Sequence, residues 1–231
     1  LKVEFKIGDK RMYKIKNLVE FYERMKKSEK YKYGNNLEFI HTKEVFSEKD
    51  QKILEFMLKN IETLSFVNSN ANTNFRYYGK ALDESYISIN ESTLDELFEL
   101  LKDRNVAFQC EDGDSVIKFS EENPQLFFCV KKIDNNEYKI VLNNNVNIIK
   151  DIKILSGNQN QYILFKEILY KCSKEYENAV IKILKLFKEN YLTEIIFEKE
   201  QLPQLFSVII PRLKKYIEFN EIDEQDIEQY K

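Results

Sequence analysis

The chain has 231 residues, 43% of them hydrophobic and 13% aromatic, which supplies enough apolar surface for a packed core and excludes wholesale disorder. Its 36 basic and 39 acidic residues nearly cancel to a net −3, so it is not a bulk nucleic-acid coat. No stretch approaches the roughly 18 uninterrupted apolar residues of a membrane helix, so a membrane partner is not expected.

Residues 3–7 and 11–15 alternate around Ile7-Gly8-Asp9-Lys10, which predicts a β-hairpin. Asn17 is placed to cap a helix over 18–27, with Glu20 three residues on and Leu18, Phe21, Tyr22 and Met25 as its apolar stripe. Residues 31–33 and 37–40 flank Gly34-Asn35-Asn36, a second hairpin signal. Ser47-Glu48-Lys49-Asp50 fits a capping box, and Ile53, Leu54, Met57, Leu58 and Ile61 recur behind it at helical spacing.

The run from Asn68 to Asn74 alternates polar and small groups and is expected to be a loop dividing a small unit, 1–67, from a larger one, 75–231. The two could also form one continuous domain. Residues 86–89 read as extended, and Ser92-Thr93-Leu94-Asp95 as a capping box opening a helix with Leu94, Leu97, Phe98 and Leu101 inward. Period-two runs then fall at 106–110, 116–119, 126–133, 138–142, 148–155 and 161–165, separated by Asp112-Gly113, Asn135-Asn136, Asn143 to Asn145 and Gly157-Asn158. That rhythm predicts an antiparallel meander. Two helices follow, 174–188 and 201–216, the second interrupted by Pro211, which donates no backbone bond. Strands and helices mix without βαβ regularity, so the expected class is α+β, with four or five amphipathic helices around antiparallel hairpins and a meander.

The chemistry is read mainly by exclusion. Cys110, Cys129 and Cys172 form no CxxC pair and sit among apolar neighbours, which suits buried free thiols in a reducing cytoplasm. The five glycines are never closer than 26 residues, so no glycine-rich phosphate cradle exists. Gly79-Lys80 resembles the end of a P-loop, but Asn74 and Ala81 stand where a glycine and a Ser/Thr are needed. With His41 as the one histidine, any His-based metal site fails on ligand count. His41 follows an extended run and precedes Thr42-Lys43, which reads as a surface loop. The acidic turn Glu111-Asp112-Gly113-Asp114 lacks the spacing of a calcium loop. Asp83-Glu84, Asp95-Glu96 and Asp223-Glu224 do not follow apolar strands as magnesium-holding pairs do.

The remaining feature is electrostatic. Residues 1–32 hold 11 Lys/Arg against 5 Asp/Glu, whereas residues 217–231 hold six acidic against one basic. Lys10, Arg11, Lys14 and Lys16 crowd the first hairpin with Tyr13 among them. Alternation puts Lys10, Lys14 and Lys16 on one face and Arg11, Tyr13 and Ile15 on the other. Lys26 and Lys27 end the first helix, and Lys30 and Lys32 follow. Such cations can contact nucleic-acid phosphates. The plainer reading is that they keep a hairpin edge from aggregating, or face the acidic tail or a neighbouring domain. Arg212, Lys214 and Lys215 suit the C-terminal end of a helix dipole.

Gly8, Arg11, Tyr13, Lys16-Asn17, Phe21, Gly34, Phe39, Phe46-Ser47-Glu48-Lys49-Asp50 and Leu54 resemble the helicase-associated region of bacterial Swi/Snf-type ATPases. The meander followed by Leu205-Phe206-Ser207 and Pro211 is similar too. The resemblance implies a segment cut from a longer double-stranded-DNA-dependent ATPase, matching the lack of an initiator Met or signal segment at Leu1. It implies partnership with the parent's helicase-like ATPase core, and with double-stranded DNA or other proteins. No phosphate loop, Asp-Glu box or arginine finger is present here, so no cofactor is expected in this segment; ATP and magnesium belong to the parent's core. The expectation is a cytoplasmic, non-catalytic accessory domain. The alternatives are a small enzyme with a carboxylate-only site, which requires a pocket lined by Asp or Glu with raised pKa, and an unrelated protein-interaction domain.

Overall fold

The computed structural model describes residues 1–70, 85–104, 106–110, 113–134, 137–142 and 148–220. The chain divides into two compact units, Leu1–Leu100 and Leu101–Lys231.

The first unit begins with β1 (Lys2–Glu4), β2 (Lys6–Ile7) and β3 (Tyr13–Lys14), followed by α1 (Leu18–Lys27), β4 (Lys30–Tyr33) and β5 (Leu37–Ile40). After a 3-10 turn at Lys43–Val45 come α2 (Glu48–Asn70), β6 (Tyr86–Ser88) and α3 (Glu91–Leu101). The first predicted hairpin is present but shared. Its N-terminal strand breaks at Phe5, so that β2 pairs with β3 while β1 pairs with β6. The β1–β6 pairing ties residues beyond the Asn-rich run to the start of the chain, so the units divide after Leu100 rather than at Asn68 to Asn74. Of that run, Asn68 to Asn70 are the last residues of α2, a correction to the expected loop, and 71–74 lie outside the described residues.

Helix α1 has its predicted bounds because Asn17 supplies the cap: its Oδ1 accepts the Glu20 backbone N–H at 2.8 Å. Leu18, Phe21 and Tyr22 are buried on its inner side. Ser47 opens α2, accepting the Asp50 N–H at 3.2 Å and donating its hydroxyl to the Asp50 carboxylate at 2.6 Å. Leu54, Phe56, Met57 and Ile61 of this helix are buried. The cap of α3 is Asn90 rather than the predicted Ser92: Asn90 Oδ1 accepts the Thr93 N–H, and Thr93 Oγ1 accepts the Asn90 N–H.

The second unit holds β7 (Val106–Cys110), β8 (Gly113–Ser120), β9 (Phe128–Lys132), β10 (Tyr138–Leu142), α4 (Ile148–Asp151), β11 (Lys153–Ser156), β12 (Gln161–Phe165) and β13 (Ile168–Lys171). Helix α5 runs over 174–189 with a π turn at Glu177–Ile181, and β14 (Glu194–Phe197) follows it. Helix α6 covers 199–216 with a π turn at Leu205–Ile209, and β15 (Ile217–Asn220) comes last. The widened turn directly precedes Pro211, whose missing N–H breaks the regular helical ladder there.

The class is α+β, as expected, but the meander is not continuous. One sheet has the order β11-β12-β13-β8-β7 with β13 and β8 parallel, and the other β14-β10-β9-β15 with β15 and β9 parallel. The predicted strand over 148–155 is also corrected. Its first half is α4, whose end is held by the Lys188 ammonium donating to the carbonyls of Ile149 and Ile152. Phe128, Val130, Tyr138, Ile140, Ile163 and Phe165 from the sheets meet Tyr176, Val180, Leu184 and Phe187 of α5 and Leu202, Leu205 and Leu213 of α6 in one core. The free thiols of Cys129 and Cys172 are buried. Burial pushes the Cys172 thiol up to about 12, so it stays protonated. No described helix is long and apolar enough to cross a membrane.

Candidate nucleic-acid interface

The β2–β3 hairpin is built around a glycine. Gly8 has φ +150, and a Cβ there would lie 2.0 Å from the Arg11 carbonyl oxygen, so only glycine lets the loop close this tightly. Lys6 faces Lys14 and Ile7 faces Tyr13 across the strands, and the Ile15 N–H extends the pairing to the Phe5 carbonyl at 2.9 Å. Phe5, Ile7 and Ile15 turn inward and are buried. Lys6, Lys14 and Lys16 are exposed, as strand alternation requires.

Lys10 and Arg11 behave differently from the expectation. Both lie in the connecting loop, where no strand face sorts them, and both are exposed. Arg11 stands over the Tyr13 ring, 5.5 Å from its centroid. That ring is also the floor under the second hairpin: Gly34 has φ +57, and a Cβ on it would come 2.6 Å from Tyr13 Cε1. Tyr13 is therefore a packing residue.

The cations differ in how far they are neutralised. Lys14 pairs with Glu4 at 2.5 Å. Lys27 pairs with Glu23 at 3.9 Å across one helical turn. The Lys26 ammonium stands 4.3 Å from the Tyr22 ring centroid, and its pKa is raised chiefly by the Tyr22 hydroxyl. Lys6, Lys10 and Lys16 make no ion pair with another described residue. The ten residues of α1 separate Lys16 from Lys26 and Lys27 by about 15 Å at 1.5 Å per residue, so the predicted residues form two clusters. Sequence reasoning passed over Lys6, although strand alternation from Lys14 across the Gly8 turn points to it.

His41 was expected on a surface loop and is instead fully buried in the first unit. Its Nδ1 lies 2.9 Å from the Glu29 carbonyl oxygen, which can only accept, so Nδ1 carries the proton. Nε2 is then the acceptor for the Tyr33 hydroxyl at 2.8 Å. Phe39 stacks on the imidazole at 4.5 Å and Phe21 meets it edge-on at 5.2 Å. Burial, with the nearby Arg24 charge, lowers the His41 pKa against the opposing pull of the Glu29 carbonyl. Burial likewise pushes Tyr33 up to about 12. Both ring nitrogens are engaged, so this histidine fastens the end of β5 to the residue preceding β4.

The acidic candidates are placed as follows. Glu96 of the Asp95-Glu96 pair lies on α3 and bonds Lys59 at 3.0 Å. Glu38 is held below its usual range by Lys30, and Glu44 by its own backbone N–H and the Thr42 hydroxyl. Lys215, in the last turn of α6, pairs with Glu175 at 2.7 Å. Gly79-Lys80, Asp83-Glu84, Glu111-Asp112 and Asp223-Glu224 lie outside the described residues. Among the described residues, no three His, Cys, Asp or Glu side chains gather where they could hold a metal ion.

No curated protein and no solved structure matches the chain. A family model does, over residues 85–231, and its description is bacterial SNF2 helicase associated. The matched region takes in β6, α3 and the whole second unit, including Leu205-Phe206-Ser207 and Pro211; the basic hairpin precedes it. Since the match spans more than half of the sequence, the chain belongs to the bacterial SNF2 helicase-associated family.

Proposed function

We propose that this chain is a non-catalytic accessory domain that helps a bacterial SNF2-type motor engage duplex DNA, with the motor's helicase-like ATPase core as its first partner. ATP and magnesium belong to that core in this reading. The hairpin cations Lys10, Arg11, Lys14 and Lys16 supply phosphate contacts, and Lys26 and Lys27 supply outlying ones. The observation that carries it is the excess of 11 basic over 5 acidic residues in 1–32, on a chain of net charge −3. Lys10 and Lys16 within that block are exposed and make no ion pair with another described residue. Exposed cations without an ion-pair partner among the described residues suit the sequence-independent, salt-sensitive part of DNA binding.

The test is binding of the whole chain to a duplex of about 20 base pairs as salt rises from about 50 to about 200 mM. Affinity should fall steeply with salt, and changing Lys10, Lys14 and Lys16 together to Glu should reduce it by about tenfold or more. If the unaltered chain shows no salt-dependent binding, the DNA role is lost and docking on the ATPase core is what remains. That docking can be measured separately by mixing the chain with the core.

A further inference from the structure

The hairpin places two lysines, Lys6 and Lys14, directly opposite each other in an antiparallel pair. Side chains in that relation stand about 5 Å apart at Cβ, and like charges there oppose strand pairing. The structure relieves one of them only. Glu4 reaches Lys14 at 2.5 Å, both side chains remaining close to half exposed. Lys6 makes no ion pair with another described residue, and neither do Lys10 in the adjoining loop and Lys16 two residues beyond Lys14. Ion pairing is otherwise common on this unit: Lys27, Lys30, Lys43 and Lys59 each have a carboxylate partner.

We infer that the anion-binding cations of this hairpin are Lys6, Lys10 and Lys16, with Lys14 held back by Glu4, and that they take the phosphate backbone of duplex DNA without reading base edges. The inference rests on the DNA reading above and adds to it a residue, Lys6, and a restraint, Glu4. Backbone contact alone follows from the residue types. Flexible ammonium groups act as point charges, and Tyr13, the partly exposed aromatic residue of the hairpin, has its ring edge against Gly34 and the Arg11 guanidinium over its ring. Glu4 sets the strength of the site, because its carboxylate competes with phosphate for Lys14 from a fixed distance.

The experiment measures salt-dependent binding of the whole chain to two duplexes of unrelated sequence, comparing K6Q, K14Q and E4Q. Each is an exposed position whose change leaves the hydrophobic core intact, and a circular-dichroism melt of each variant checks the fold. Lys6→Gln should weaken binding equally on both duplexes and reduce the salt slope by about one. Lys14→Gln should cost less than Lys6→Gln, about twofold or below, because its charge is already compensated. Glu4→Gln should strengthen binding and steepen the slope, an effect in the opposite direction that loss of structure does not produce. Binding by the wild-type chain that is unchanged in Lys6→Gln, or lost more in Lys14→Gln than in Lys6→Gln, overturns the inference and leaves the DNA reading standing. No binding by the wild-type chain overturns both.

Discussion

His41 is the residue whose surroundings reverse the expectation most completely. On paper it follows a short extended run and precedes Thr42-Lys43, which reads as surface. In the fold, Phe21, Tyr33 and Phe39 enclose it, and these come from three different elements. Nothing local in the sequence encodes that enclosure. The consequence is a stability that depends on pH. Burial lowers the folded-state pKa below the ordinary value, so the unfolded chain takes up the proton first. The contribution is therefore intact above about pH 6.5 and is lost as pH falls from there toward the folded pKa, by up to about 1.4 kcal/mol per pH unit. Urea midpoints at about pH 7.5 and pH 5.5 should differ accordingly in the wild-type chain. The difference should shrink in His41→Gln; a pH-independent midpoint in the wild type would rule the account out.

Elements were legible where their signals are local. Asn17 and Ser47 mark the starts of α1 and α2 because a cap is a contact over three residues. Strands β7, β10 and β12 have their predicted bounds because unbroken or alternating apolar runs end at turn residues. The hairpin joining β12 to β13 carries no turn signal in the sequence, for a physical reason. Its two turn residues are Lys166 and Glu167, at φ +48 and +61, where a two-residue turn of this kind favours Asn-Gly. Two side-chain-bearing residues in the left-handed region cost about 1 kcal/mol each or more, whereas the Lys166 ammonium over the Phe165 ring, 5.2 Å away, returns about 0.5–1 kcal/mol. Replacing Lys166-Glu167 by Asn-Gly should thus raise the unfolding free energy by about 1 kcal/mol, measured by denaturant titration. A lower midpoint would show that the turn is held by contacts other than its own backbone. Tyr191 after α5, at φ +53, occupies a similar glycine-favouring position, and 92% of its surface is exposed.

At the scale of the whole chain, the family match and the basic hairpin occupy different stretches, 85–231 and the residues before them. The family match takes in the whole second unit, whose core encloses the thiols of Cys129, at 0% exposure, and Cys172, at 4%. A thiol buried this way reacts only when its surroundings open, so labelling reports the opening of the unit rather than local reactivity. With Cys172 pushed up to about 12, alkylation of Cys172 and Cys129 should be slow in the native chain and fast in denaturant, read by mass spectrometry of the peptides. Rapid native labelling at either position would mean that this core opens readily. The proposed DNA contacts fall in the first unit, which makes them separable by mutation from the stability of the second.

The sequence by itself determined the α+β class, the capped helices, the buried character of the apolar runs and the family, because each follows from periodicity, capping or motifs carried along the chain. It also located the basic block. Only the tertiary structure decided which strands pair in parallel, that β1 leaves its hairpin to join β6, that His41 is enclosed, and that Glu4 neutralises Lys14 while Lys6 finds no ion-pair partner among the described residues. Those outcomes depend on residues far apart in sequence meeting in space. The free energy of such meetings comes from burial and charge pairing across elements, which no local pattern records.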